Sequence, residues 1–244
     1  MRNTATRPRD TALSDAQLTQ AWQAASLLLG YPDTELLGRL DLIDEAAVRL
    51  PDRVGAPLRA CVGHIRQTSL GDLEADYVDT FDTRRRHNLF LTYFAHGDTR
   101  KRGMALLRFK QTYLASGFEL TDTELPDHLC VVLEYAATVD RQQGRQLILD
   151  HRAGLELLRI SLTEAGSPWA GAVEAVTATL PPLRGDEMDA VRRLAAEGPP
   201  AEEVGLTPYE TPAFDPGPAL PHGATPLPMP SFPAKVRQSA GGGR

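Results

Sequence analysis

Cysteine is scarce in this chain: Cys61 and Cys130 are the only two in 244 residues, and each sits between apolar neighbours. That excludes a disulfide framework and leads us to expect two buried thiols in a reducing, cytoplasmic compartment. Long apolar runs are missing as well. The longest uncharged apolar stretch is about that of residues 24–29, far short of the roughly 20 residues that span a bilayer. No apolar segment follows Arg2, Arg7 and Arg9 as an export signal would require, so direct membrane insertion is not expected. Positive charge is not in excess either. Lys and Arg number 26 against 32 Asp and Glu, a net charge of −6, and nucleic acid is therefore not an expected partner. Phosphate-cradling glycine loops, nucleophile elbows and solenoid repeats are absent from the sequence. No catalytic, cofactor-binding or metal-ligating set is assigned.

What is present is helical patterning, in a chain whose 42% hydrophobic content suffices for one substantial core. Ser14-Asp15-Ala16-Gln17 has the form of a capping box. Leu18, Trp22, Ala25 and Leu29 then fall on one face, and Gly30 with Pro32 ends the helix. Asp33 is placed to cap a second helix carrying Leu36, Leu37, Leu40 and Ile43, and Pro51 stops the helical run that continues from Asp44. A third is expected over 57–68, and a fourth carries Leu73, Tyr77, Thr80 and Phe81. Residues 88–96 hold Leu89, Phe90, Leu91, Tyr93 and Phe94. They read as helix because no second strand pattern exists for them to pair with. Asp98 is expected to cap the next helix, and Gly103 within it to permit a close helix approach. Further apolar stripes mark later helices around Leu155, Trp169 and Met188.

Composition changes after residue 197. Eleven of the nineteen prolines lie between Pro199 and Pro233, a density that stops helix and sheet alike. The expected organisation is a flexible arm over 1–12, one all-α helical bundle domain over 13–197, and a disordered Pro-rich tail over 198–244.

Charge is unevenly distributed. Residues 84–110 carry eight basic side chains against the single acid Asp98, a patch able to steer an anionic partner. Residues 119–134 hold Glu119, Asp122, Glu124, Asp127 and Glu134 with no Lys or Arg. Within them Glu124-Leu125-Pro126-Asp127-His128 has proline and acids suited to a helix start, but capping does not require His128. The acidic ridge can pair with the basic patch or bind a cationic segment of a partner. Asp127-His128 also matches the adjacent pair of metal-dependent phosphohydrolases. The remaining histidines, His64, His87, His96, His151 and His222, stand at no spacing that puts two ligands on one helix face.

Taken in order, four motifs carry a resemblance: Tyr77-x-x-x-Phe81-Asp82; Leu89-Phe90-Leu91-Thr92-Tyr93; Gly97-Asp98-Thr99-Arg100-x-Arg102-Gly103; and Glu124-Leu125-Pro126-Asp127-His128-Leu129 with Leu133-Glu134-Tyr135. The chain resembles the nitrate reductase delta subunit family of molybdenum cofactor assembly chaperones, a branch of the all-helical redox-enzyme maturation chaperones, over about residues 14–185. The resemblance implies a cytoplasmic, non-enzymatic protein. Its partner would be the apo catalytic (alpha) subunit of respiratory nitrate reductase, with the iron-sulfur (beta) subunit as a further candidate. It would assist molybdenum cofactor insertion and be absent from the finished enzyme. Tyr77, Phe81, Tyr93, Glu124, Leu125, Pro126, Asp127, His128 and Tyr135 are then expected as groove or motif residues, and Arg100 and Arg102 as a charged rim. The competing readings are a chaperone for another molybdoenzyme that proofreads its signal peptide, a metal-dependent phosphohydrolase using Asp127 and His128, and a permanent helical scaffold subunit of the mature complex.

Overall fold

Local caps decide where the first helices begin. The computed structural model describes residues 12–120 and 124–198. At its start the Ser14 hydroxyl accepts from the Gln17 amide at 3.3 Å while the Gln17 side chain accepts from the Ser14 amide at 2.9 Å. Two of the four orphan amides of helix α1 (Asp15–Leu29) are thereby satisfied. The Asp33 carboxylate accepts from the Leu36 amide at 2.7 Å and starts α2 (Thr34–Val48). α3 (Asp52–Gln67) and α4 (Leu70–Tyr77) come next, and α4 widens into a π-helical turn, Val78–Asp82. A 3-10 turn, Arg85–His87, leads to α5 (Leu91–His96) and α6 (Arg100–Ala115). The remainder is α7 (Leu129–Thr138), α8 (Arg141–Asp150), α9 (Arg152–Glu164), α10 (Ala170–Ala178) and α11 (Gly185–Glu197). Among the described residues there is no strand, and the all-α expectation holds. None of their helices is long and apolar enough to cross a membrane.

α1 is the central helix, packed on α7, α10, α2 and α3. It is buried along Ala21, Trp22, Ala24, Ala25, Leu28 and Leu29, each of the large side chains contributing about 1.5–3 kcal/mol by leaving water. The two tryptophans lie wholly in the core and keep their indole donors paired. Trp22 Nε1 donates to Thr179 Oγ1 at 2.9 Å and Trp169 Nε1 to Asp76 Oδ2 at 3.0 Å. Backbone contact between helices depends on glycine. A Cβ on Gly55 would lie 2.2 Å from the Ala47 carbonyl oxygen of α2, and one on Gly171 2.4 Å from the Pro57 oxygen of α3.

Four local expectations are corrected. α3 begins at Asp52, five residues before Pro57, because the Pro51 carbonyl accepts from the Val54 and Gly55 amides at 2.8 and 2.9 Å. Only Leu91–His96 of the stretch 88–96 is helical. Phe90 instead forms an isolated antiparallel bridge with His128, a partner 38 positions away that no local pattern displays. Thr99, rather than Asp98, is the N-cap of α6, and the Asp98 carboxylate faces Arg102 at 3.6 Å. Gly103 allows no close approach, since a Cβ there would meet open space. The expected arm and tail lie, apart from Ala12 and Gly198, outside the described residues.

Candidate functional site

The two described ends of the segment between α6 and α7 are held to the bundle by contacts from several directions. Gly117, with φ +72°, turns the chain out of α6, and the Phe118 ring lands edge-on against Tyr113 at 5.4 Å and tilted against Tyr135 at 5.7 Å. The Tyr113 hydroxyl donates to the Pro126 carbonyl at 2.6 Å, and the Tyr135 hydroxyl pairs with Ser116 Oγ at 2.7 Å. Across the Phe90–His128 bridge, the Leu91 amide donates to the Asp127 carbonyl at 3.0 Å and the Leu129 amide to the Leu89 carbonyl at 2.8 Å.

Asp127 is the interior anchor of this segment. Its side chain is fully buried. It accepts from the Thr92 amide at 3.2 Å and from the Thr92 hydroxyl, and it faces the Arg102 guanidinium at 3.5 Å. Arg102 also donates from Nε to Thr92 Oγ1 at 3.2 Å and lies over the Phe90 ring, 5.2 Å from its centroid. A carboxylate out of water depends on such partners, and here they gather on one oxygen, Oδ2. Asp127 is therefore committed to the fold, and among the described residues no group of three His, Cys, Asp or Glu side chains is arranged to hold a metal ion. The phosphohydrolase reading is not favoured.

Glu119 and Glu124 of this segment and Glu134 of α7 are exposed around an open cleft of about 410 Å³ between the end of α1 and the first turns of α7. Tyr77 forms its floor. Its hydroxyl donates to the Leu29 carbonyl at 2.9 Å, and its ring packs against Phe81 at 4.7 Å and Trp169 at 5.5 Å. Tyr31, 53% exposed, stands edge-on to Tyr77 at 5.4 Å and makes one lip. Phe118, Leu120 and Val131 supply apolar wall, Glu119, Glu124 and Glu134 supply carboxylates, and among the described residues no Lys or Arg lines the space. His128 borders it with its ring against Phe90 at 5.1 Å, and burial lowers its pKa below 6.5 against the opposing pull of Glu124 and Asp127. Burial, then Glu124 and Glu134, push the Cys130 thiol far above its ordinary range, so it enters the cleft as a neutral, unreactive group. The cleft thus presents aromatic and apolar surface inside a ring of negative charge, suited to an amphipathic segment with basic side chains.

The residues singled out in the sequence divide accordingly. Tyr77, Glu124 and His128 line the cleft, and Phe81 backs Tyr77. Leu125 is 42% exposed beside it. Pro126, Asp127 and Tyr135 are buried and hold the walls in place, whereas Tyr93 is buried away from the cleft, against Phe94 and under Arg102. Arg100 is exposed on α6, but Arg102 is turned inward and is no part of a charged rim. Sequence reading missed Tyr31, Phe118 and Leu120. The one signal for Tyr31 was a large aromatic wedged between Gly30 and Pro32, past the end of a helix and off every apolar stripe.

Comparison with known proteins bears on this geometry. The family model for the nitrate reductase delta subunit matches residues 48–175. The nitrate reductase-like protein NarX of Mycobacterium tuberculosis H37Rv is 41% identical over 158 residues, covering 65% of this chain and 24% of NarX. This chain therefore spans about a quarter of that relative's length. A Bacillus subtilis protein named probable nitrate reductase molybdenum cofactor assembly chaperone NarJ is 34% identical over 171 residues, covering 68% of this chain and 90% of that one. The nitrate reductase molybdenum cofactor assembly chaperone NarJ of Escherichia coli K12 is 31% identical over 148 residues, 59% and 63% of the two chains. With more than half of its length matched by one model, this chain belongs to the nitrate reductase delta subunit family.

Proposed function

We propose that this chain is a cytoplasmic, non-enzymatic assembly chaperone. Its client would be the apo catalytic (alpha) subunit of a respiratory nitrate reductase, with the iron-sulfur (beta) subunit as a further candidate in the same complex. It holds that subunit competent for molybdenum cofactor insertion and departs before the enzyme is finished. Family membership and the names of the NarJ relatives support this reading.

The observation that carries it to particular residues is the acid-ringed aromatic cleft. An amphipathic client helix can lay apolar anchors on Tyr31, Tyr77, Phe118 and Val131, while its basic residues meet Glu119, Glu124 and Glu134. The walls are already fixed by the Tyr113–Pro126 and Asp127–Thr92 bonds. Binding therefore orders little of the chaperone itself.

The test is affinity capture with the tagged full chain from nitrate-respiring cells, with molybdenum analysis of the co-eluting protein. The expected result is a molybdenum-poor catalytic subunit, and loss of its capture with Glu124→Lys and Glu134→Lys combined. Recovery of a molybdenum-replete complex at fixed stoichiometry would make the chain a permanent subunit. Recovery of a different molybdoenzyme would overturn the named client.

A further inference from the structure

α6 has two apolar faces, and the fold uses one. Phe109 and Tyr113 turn into the body, where Phe109 packs against His151 at 5.1 Å and Tyr113 against Tyr135 of α7 at 4.6 Å. On the opposite side Met104, Leu107 and Leu114 are 65%, 45% and 63% exposed. With exposed Gln111 they succeed one another at intervals of three, four and three residues. That is the a/d spacing of a coiled-coil seam, about 15 Å long at 1.5 Å per residue. Lys101 and Arg108 border it on one side and Lys110 on the other, all exposed, and α6 contains no acidic residue. Across the shallow cleft at its C-terminal end stands Asp140, whose carboxylate is engaged in capping α8 through the Gln143 amide at 2.9 Å.

We infer that the outer face of α6 is a second docking surface, and that its occupant is an acidic amphipathic helix of another protein. The seam supplies the apolar anchors, and the flanking bases select carboxylates at the partner's e and g positions. A second copy of this chain would set basic rows against basic rows, which costs rather than gains energy. A membrane surface fits poorly too. The stripe is a narrow a/d seam with Gln111 in its centre and no exposed aromatic, whereas helices that lie in lipid headgroups present a broad apolar face rich in Trp, Phe and Leu. This surface differs from the acid-ringed cleft in charge and in elements, and it does not depend on the client proposed for that cleft.

The probe is a designed peptide of about three heptads with Leu at a and d and Glu at e and g, together with a twin carrying Lys at e and g. Both are titrated into the full chain by fluorescence anisotropy. The Glu peptide is expected to bind and the Lys twin to fail. Leu107→Glu with Leu114→Glu should weaken binding at least tenfold. Lys101→Glu, Arg108→Glu and Lys110→Glu combined should reverse the preference toward the Lys twin, a reversal that an unfolded variant would not give. Binding of neither peptide, equal binding of both, or binding indifferent to these substitutions would overturn the inference. So would a dimer in sedimentation that the leucine variant dissolves, since the occupant would then be a second copy. Co-sedimentation with anionic phosphatidylglycerol vesicles, lost in the same variant, would assign the face to a membrane instead.

Discussion

Asp127 and Glu124 stand three residues apart in one acidic motif and do opposite things. Asp127 is dry, its carboxylate held by Thr92 and Arg102. Glu124 is exposed and, with Glu119 and Glu134, rings the cleft. The difference shows that sequence proximity to a motif does not assign a carboxylate its role. What decides is whether the fold supplies partners that offset the loss of water.

The largest expected effect comes from breaking the dry side. Asp127→Ala leaves the Thr92 amide without its acceptor and Arg102 without the carboxylate it faces, and should lower stability by about 3–5 kcal/mol, read as a large fall in the midpoint of urea unfolding. Asp127→Asn retains an acceptor for Thr92 and loses only the charge, so its loss should be clearly smaller. Equal losses for the two substitutions would mean that the charge facing Arg102 carries the whole effect and that the Thr92 bonds add nothing.

Next comes the tether between the two sides. Tyr113→Phe removes the donor to the buried Pro126 carbonyl while keeping the ring that packs on Tyr135 at 4.6 Å. An unsatisfied buried acceptor costs about 1–2 kcal/mol here. The same variant should loosen the wall bearing Glu124, so faster hydrogen exchange at residues 124–128 is expected. Unchanged exchange would place the rigidity of that wall elsewhere.

The first two helices were legible because their signals are local. Ser14 with Gln17, and Asp33, announce caps within four residues, and the apolar stripes after them face the core as the 3.6-residue period requires. Errors arose where a distant residue or a stronger neighbour outcompeted a local signal. Pro57 looks like a helix start, yet Pro51 and Asp52 offer an earlier one. Residues 88–90 look helical because their partner, His128, lies in another segment. The acids of the site were visible, and so was Tyr77. Which acid faced water was not, because that depends on where Arg102 turns. The open face of α6 was hidden for a related reason: apolar residues lie all round this helix, and only the fold settles that Phe109 and Tyr113 are buried while Leu107 and Leu114 stay exposed.

His128 sits on the boundary between the two sides, and pH sharpens its position. In the unfolded chain its imidazole titrates near 6.5, and burial lowers that value in the fold. Between the two values the unfolded state takes up a proton that the folded state does not. Stability is therefore whole above about pH 6.5 and declines as pH falls toward the folded value. His151, also lowered by burial, adds to the same slope. Unfolding free energy measured from pH 7.5 to 5.5 should decline, and His128→Gln should flatten the curve without abolishing it. A wild-type curve level over that range would mean that the ring is solvated in the folded state.

The smallest effect on stability, and the most informative for function, belongs to the wet side. Glu124→Gln combined with Glu134→Gln removes two charges that no buried partner requires, so stability should stay within about 0.5 kcal/mol of wild type. Client association should respond instead. Carboxylates at a rim act mainly on the encounter rate, and their pull is screened by salt. Association of the wild-type chain with the proposed client should therefore slow as ionic strength rises, while the double amide variant should begin slow and depend less on salt. Tyr31→Ala should do the reverse, leaving the salt dependence intact and speeding dissociation, because it removes apolar contact rather than charge. A double amide variant with wild-type rate and wild-type salt dependence would mean that the exposed carboxylates are solvated surface and that the client is gripped elsewhere. The contrast with Asp127 would then be one of burial alone and carry no functional meaning.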